Sequence, residues 1–468
     1  MAIVGIRALL VYIYARPHEF IEALKDFQWL YLLLGIALIG IVVDYAGRRS
    51  KFAAHSTLRN AVLIFAAWAM FTLILRRPDL VFVNGITIMV STTLFLVCMH
   101  GITTSEAFFK VAVTIFALGF FVATIGAHQG FQPFVCLEGD PLVPKGHMSS
   151  DGRPCFWEMD GLGTDGVMQC IEGGQPGRRY ACERAGLLGT TSIGGGRVRY
   201  LGQLEDPNEL GLATSMCIPF AFAFFENRKS LFRLLLLITT LGLVGVTNFF
   251  TKSRGGQLVF SVVLAAYFVR RFRAKGFILA GLVAAPLIAL GGREGEEADQ
   301  SVIDRLEAAA AGIKMMIGNP IMGVGYAQFN EYHYLTAHNA YVLAVGELGL
   351  TGMFMYVTIV YLTIKIPVVA LRHTWVHDDD EARQLKSLSM AMLATFCGAA
   401  VGIFFLSWTY HFVFWIHLGL AGALFSVIKA KEPTYEVRFS FRELGGVMLV
   451  SAAMLVVLYA QIKRKGLW

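Results

Sequence analysis

Uninterrupted apolar runs constrain this chain more than any other feature. IleAlaLeuIleGlyIleValVal at 36–43 and LeuLeuLeuLeuIleThrThrLeuGlyLeuValGlyVal at 234–246 are two of them. Runs of roughly 18 or more apolar residues are long enough to cross a bilayer core of about 30 Å as helices. Soluble domains rarely exceed about 50% apolar residues and alternate them with polar ones. Here 56% of 468 residues are hydrophobic and only 16% are charged. The reading is an all-α integral membrane protein. Spans are expected at about 2–14, 29–46, 60–75, 81–100, 106–126, 208–225, 231–250, 256–272, 277–291, 340–364, 388–408, 412–429 and 445–461. The first is short and resembles an uncleaved signal anchor. No small-residue cleavage site follows it, so it is kept as a helix. That makes 12 or 13 spans.

Lysine and arginine in short loops orient such a protein. Arg48, Arg49, Lys51 and Arg59 lie in the loop 47–59, Arg228, Lys229 and Arg233 in 226–233, and ArgArgPheArgAlaLys at 270–275. Helix counting puts all three on one side, which is expected to be cytoplasmic. The net charge of +7 is then mostly a topology signal, with some attraction to anionic lipid heads. It calls for no nucleic acid. The chain divides into N-terminal spans (1–126), a cysteine-rich loop (127–207), central spans (208–291), a second long loop (292–339) and C-terminal spans (340–468). Both long loops fall on the extracytoplasmic side.

Cysteine placement agrees with that side. Cys136, Cys155, Cys170 and Cys182 crowd into the first loop, whereas Cys98, Cys217 and Cys397 sit in apolar spans. Four cysteines in a loop with few apolar residues fit two disulfides in an oxidising compartment. Three connectivities are open. A zinc site is the rival, but no CxxC pair is present.

Three polar stretches converge on the same face. In ArgValArgTyrLeuGlyGlnLeuGluAspProAsnGluLeuGly, 197–211, Pro207 suits a first helical position and Asp206 an N-cap. Glu205, Asp206 and Glu209 equally read as complements of the helix dipole, and Arg197 and Arg199 as a solvated loop end. In ThrLysSerArgGlyGlyGln, 251–257, the bland reading of Lys252 is snorkelling to the headgroups. Arg254 precedes Gly255 and Gly256, whose amides are expected to stand open at a helix start, a phosphate-binding arrangement. In 299–341, Ser301 and Asp304 read as a capping box before an amphipathic helix, expected to lie along the membrane surface and end at Asn319 and Pro320. His338 and the N-cap candidate Asn339 then stand at the mouth of a long span. A lone His at a helix end is more often structural than catalytic.

Together these stretches carry a resemblance. SerValIleAspArgLeu, AsnProIleMetGlyValGlyTyrAlaGlnPhe, AlaHisAsnAlaTyr and GlyGluLeuGlyLeuThrGly resemble the signature run of the O-antigen ligase superfamily. SerArgGlyGly and ArgTyrLeuGlyGlnLeuGluAspProAsnGluLeuGly match two further family stretches in order. The resemblance covers roughly 197–360 closely and the rest in helix layout only. It implies a GT-C-like membrane glycosyltransferase of the bacterial inner membrane, with its active site facing the periplasm. Such an enzyme moves a glycan from an undecaprenyl-diphosphate carrier to an acceptor in a metal-independent, inverting transfer, with no cofactor. Acceptors are the lipid A core (ligases, as in lipopolysaccharide biosynthesis), another carrier-linked chain (polymerases) or a protein hydroxyl. By motif position, the diphosphate-holding and acceptor roles fall on Arg199, Arg254 and His338. Arg197, Arg305 in the SxxxR element, Lys252, Asn339 and Tyr341 are substrate-contact candidates.

The chemistry fits those residue types. Displacing a lipid diphosphate builds negative charge that fixed guanidinium groups stabilise in a water-poor site. An imidazole with a free pKa near 6.5 suits removal of the acceptor proton. The long cysteine-rich loop departs from the family pattern and leaves the acceptor open. A thirteenth span would put LysArgLys, 463–465, outside, against the charge rule, which leaves open whether 445–461 crosses fully or lies at the interface. A transporter or flippase would carry ionisable residues near the bilayer midplane, and these spans are almost free of them. The acidic run HisAspAspAspGlu, 377–381, reads as a solvated cytoplasmic loop, not as metal ligands.

Overall fold

The computed structural model describes residues 1–48, 53–139, 149–159, 166–171, 178–290 and 296–468. Arg49 and Lys51 of the first basic loop lie outside the described residues. The N-terminal part comprises α1 (Ala2–Ala15), the one-turn α2 (Pro17–Phe20), α3 (Trp29–Ala46), α4 (Thr57–Arg76), α5 (Val81–Gly101) and α6 (Ser105–Phe131). The sixth predicted span is two helices, α7 (Pro207–Ser215) and α8 (Ile218–Asn227), because Pro219 at the start of α8 lacks the N–H that a continuous helix needs. α9 (Leu231–Thr251), α10 (Arg254–Phe272) and α11 (Ala274–Leu290) follow. α12 (Glu296–Gly318) and the one-turn α13 (Phe329–Tyr332) occupy the second long loop. α14 (Ala340–Arg372), α15 (Asp380–Gly402), α16 (Phe412–Lys431) and α17 (Phe441–Arg464) close the chain.

Among the described residues, 10 helical stretches are long and apolar enough to cross a membrane, by length and composition. α1 and residues 274–285 of α11 are shorter apolar helices. α16 is apolar all round and buried nearly throughout, which makes it the centre of the helical body. α3 and α17 lie at the periphery and turn Ile39, Val42, Leu449 and Val456 outward, as helices facing acyl chains do. α17 is among the helices long and apolar enough to cross a membrane. Glu443 at its start bonds Tyr361 and Lys365 on one face of the body, and Ile462 near its end packs in the cluster around α12 on the other. A helix of 24 residues is long enough to connect the two.

The cysteine-rich loop is the non-helical part. β1 (Phe134–Glu138), β2 (Ser149–Met159), β3 (Gly166–Cys170) and β4 (Tyr180–Arg184) form an antiparallel sheet in the order β3-β2-β1-β4. Cys136 faces Cys182 across β1 and β4, and Cys155 faces Cys170 across β2 and β3. The disulfides run the other way, Cys136–Cys170 and Cys155–Cys182, so each joins one strand pair to the other. Cys98 and Cys397 are free within α5 and α15, and Cys217 is free at the junction of α7 and α8.

Two local expectations are corrected. Ser301 and Asp304 cap nothing, because α12 begins at Glu296 and Asp304 accepts from Gln300 Nε2 one turn earlier, at 2.7 Å. The acidic run is not simply solvated: Asp379 caps α15 through Ala382 N at 2.8 Å, and Lys431 pairs with both Asp379 and Glu381.

Candidate active site

The first polar stretch is built against the end of α9. Val198 N donates to Phe250 O at 3.1 Å, Arg197 Nε to Thr251 O at 3.2 Å and Lys252 Nζ to Gly195 O at 3.1 Å. Lys252 is therefore a pin for the glycine turn at 194–196, not a snorkelling side chain. It caps α9 in the left-handed region, at φ 48. Arg199 gives Nε to Thr191 O at 3.0 Å, and its backbone N–H to the buried Gln129 Oε1 at 3.0 Å. Burial lowers the Arg199 pKa, while Glu183, Glu205 and Asp206 pull it back up. The guanidinium stays charged in any case. Glu183 of β4 is buried, and burial raises its pKa. It accepts from Ser192 Oγ and, at 3.3 Å, from Gly196 N. The sheet thus holds the turn that carries Arg197 and Arg199.

α7 brings the first stretch to the second. Asp206 and Glu209 form a reciprocal capping box, so both carboxylates are engaged at the helix start. Asn208 Oδ1 accepts from Ser253 Oγ, the N-cap of α10. A Cβ on Gly256 would lie 3.2 Å from Gly211 Cα, and one on Gly255 would lie 3.1 Å from Phe405 Cβ. The two glycines therefore serve close packing. The open-amide expectation fails for Gly256, whose N–H donates to Ser253 Oγ at 3.0 Å. Arg254 itself is exposed, at the first position of α10.

The third stretch is anchored by a break in α14. Gly349 adopts φ 70, ψ −171, which frees carbonyls of the turn before it. Gly346 O accepts from Val324 N at 3.0 Å and Glu347 O from Gly325 N at 2.9 Å, while Leu350 N donates to Pro320 O at 2.8 Å. The loop and the helix exchange partners, which satisfies these three pairs of backbone groups. The buried Glu347 side chain accepts from Phe329 N at 3.1 Å and holds α13. α12 crosses α14 where Gly312 meets Gly346, with Ala309, Ala310 and Ile313 buried. Its apolar face thus covers protein, not only a membrane surface.

Asn339 caps α14 with Oδ1, accepting from Tyr341 N at 2.9 Å and Val342 N at 3.1 Å. Tyr341 is buried and donates its hydroxyl to Ala400 O at 3.0 Å. Asn339 Oδ1 and the Tyr341 hydroxyl, from two of the substrate-contact candidates, are thus engaged in structure. His338, half-buried with φ 46, precedes the cap directly.

The element that joins all three stretches is 403–411, between α15 and α16. It carries Phe404, Phe405 and Leu406 and reads from sequence as the end of a lipid-facing span. α15 ends at Gly402; beyond it Ile403, Leu406 and Trp408 are buried, while Phe404 stays exposed beside the Tyr341 ring. Ile403 O accepts from Ala340 N at 2.8 Å, Thr409 Oγ1 donates to Ala340 O at 2.8 Å, and Thr336 Oγ1 donates to Ser407 Oγ at 2.9 Å. Phe405 lies against Gly255, with the Arg305 guanidinium 5.9 Å from its ring. Trp408 Nε1 donates to Glu209 Oε1 at 3.1 Å and stacks on His411 at 4.2 Å. His411 Nε2 lies 2.9 Å from Gln203 O, and burial lowers its pKa to about 4. One nine-residue segment therefore contacts the neighbours of Arg199, Arg254, Arg305 and His338. Glu183, Glu347, Phe405, Trp408 and His411 were not identified from sequence. For Glu347 the signal was its GlyGluLeuGly setting; for the others there was none beyond polarity at a span boundary.

Residues 235–357 match the O-antigen ligase family model. That match covers about a quarter of the chain and supports a membrane glycosyltransferase of the O-antigen ligase and polymerase type in general. The matched O-antigen ligase stretch runs from α9 into α14 and contains Lys252, Arg254, Arg305, His338, Asn339 and Tyr341. Arg197, Arg199 and the 403–411 segment lie outside it. No curated protein matches the chain.

Proposed function

We propose that the protein transfers a glycan from an undecaprenyl-diphosphate carrier to an acceptor, with the lipid A core favoured, at the periplasmic face of a bacterial inner membrane. The observation that carries this reading is the meeting of the arginine-bearing stretches with His338 on one segment, at one end of the helices, within and beside the O-antigen ligase match. Arg254 and Arg199 hold the diphosphate, and Arg305 adds positive potential. Arg197 and Lys252 are further substrate-contact candidates beside that turn, each with one donor on backbone as Arg199 has. Asn339 and Tyr341, the substrate-contact candidates, hold the start of α14 directly after His338. The acceptor hydroxyl attacks the anomeric carbon as the bond from that carbon to the diphosphate oxygen breaks. The electron pair leaves on the diphosphate, and the hydroxyl proton passes to the His338 imidazole. The fold is of the GT-C kind, the transfer inverts, and neither metal nor cofactor takes part.

The test is the species that accumulates when the gene is deleted. Unligated carrier-linked polymer is expected. Accumulation of single carrier-linked repeat units instead assigns a polymerase. An unglycosylated acceptor protein with intact lipopolysaccharide assigns a protein glycosyltransferase.

A further inference from the structure

α10, α14 and α15 reach the face opposite the candidate active site, and there, with the end of α8, they surround a cavity of about 430 Å³. With 19 residues, α10 sets the two sites roughly 28 Å apart. The cavity walls hold Lys229, Arg270, Arg271, Arg383 and Lys386 against one carboxylate, Glu226. Glu226 accepts from Tyr267 Oη at 2.7 Å. Arg383 pairs with Asp380, and Lys386 with Asp378 at 3.5 Å. Arg270 gives one N–H to Leu371 O at 3.4 Å. Among the described residues, no carboxylate lies within ion-pair distance of Lys229, Arg270 or Arg271.

Cations at a helix C-terminus complement its dipole, which accounts for Arg270 and Arg271. It does not account for Arg383 and Lys386, which stand in the first two turns of α15, where the dipole disfavours positive charge. Like charges drawn together from both kinds of helix end repel unless an anion joins them. Arginine and lysine together are the donor set for a phosphate group. The surroundings favour a phosphate that carries acyl chains: Leu231 and Phe232 follow Lys229 and are about three-quarters exposed, and Phe272 after Arg271 is also exposed. We propose that this cavity binds the phosphate group of an anionic membrane lipid, at a site separate from the candidate active site and independent of its chemistry.

The full chain, reconstituted in phosphatidylcholine nanodiscs with a minor fraction of phosphatidylglycerol, tests this by native mass spectrometry of the lipid that stays bound. Phosphatidylglycerol is expected to be retained roughly tenfold above its share. The triple variant Lys229→Gln, Arg270→Gln, Arg271→Gln should retain it only in proportion to the bilayer. Arg438→Gln with Arg442→Gln removes two charges away from the cavity and should leave the enrichment unchanged. Lys229→Gln alone should lower retention severalfold and serves if the triple variant does not elute as a single species. Equal enrichment in wild type and the cavity variants, or equal loss in the Arg438/Arg442 control, overturns the site. Inorganic phosphate is then titrated against the bound lipid. Displacement keeps the site and assigns it to free phosphate; resistance shows that the acyl chains contribute.

Discussion

At the residue scale, His338 is argued to be the proton acceptor because it stands beside a cap that is already satisfied. Asn339 holds the start of α14 by itself, so the imidazole is not needed for that purpose. His338→Gln is expected to slow transfer by roughly 10²–10⁴ while carrier binding persists. Turnover of the purified variant checks this, and wild-type turnover would remove the role. The pH–rate profile separates a base from a residue that merely positions the acceptor. A base is protonated below its pKa, so activity should fall on the acid side, and only a true base loses that limb on replacement. Arg254→Lys keeps the charge but not the planar fork, and should lose most activity at saturating acceptor. Transfer at the wild-type rate by the Lys variant would exclude bidentate phosphate contact there. His411 belongs to stability rather than chemistry. Its folded pKa of about 4 lies below the free value near 6.5, so the unfolded chain binds more protons between the two. The stability it permits is complete above about pH 6.5 and declines as pH falls towards 4, by up to about 3 kcal/mol. Gln203 O, Glu209 and the Trp408 ring are the groups that face it. Thermal unfolding in detergent at pH 7.5 and pH 5 should show a larger loss for wild type than for His411→Gln.

At the scale of the element, the decisive device is the break in α14 and the loop docked on it. Gly323 sits at φ 64, and a Cβ there would lie 2.4 Å from the Glu347 carbonyl carbon. Gly323→Ala is therefore expected to cost at least about 1–3 kcal/mol from backbone strain, with the steric clash added. Gly318→Ala, six positions after Gly312 and at the end of α12, meets nothing within 4 Å and should be neutral or slightly stabilising. Unfolding temperatures of the two variants make the comparison, and equal values would mean that the docked loop is not tightly held. Helix positions and the Asp206 and Asn339 starts were legible in the sequence, because spans and caps are local patterns. The broken α14 was not. GlyGluLeuGly inside a long apolar run looks like continuous helix until the loop that takes its carbonyls is in place.

For the whole molecule, the cysteine-rich sheet and the helical body are joined through Glu183 and Arg184. Arg184 donates to Gln132 O at 2.9 Å and lies over the Phe134 ring. The disulfides brace the strand that carries both residues, so their reduction should loosen the turn with Arg197 and Arg199 while the spans remain folded. Transfer activity is expected to drop on reduction, with helicity by circular dichroism unchanged. In intact cells Cys136, Cys155, Cys170 and Cys182 should take up an impermeant maleimide only after reduction. Labelling of all four without reductant would show that the bridges are absent or the loop wrongly sided.

What the sequence determined by itself is what depends on near neighbours and on solvent. Run length set the membrane class, short polar residues set the helix starts, and four clustered cysteines set a cross-linked loop. The tertiary structure alone decided which cysteines pair, because both strand pairs offer an in-register partner and neither is the one bridged. It also decided that 403–411 joins the site. Phe405 and Leu406 have the same composition whether they face acyl chains or other helices, and only packing distinguishes the two. The basic cavity follows the same rule. Lys229, Arg270, Arg271, Arg383 and Lys386 span more than 150 positions of sequence, and their like charges become one site only where the ends of α8, α10 and α15 meet.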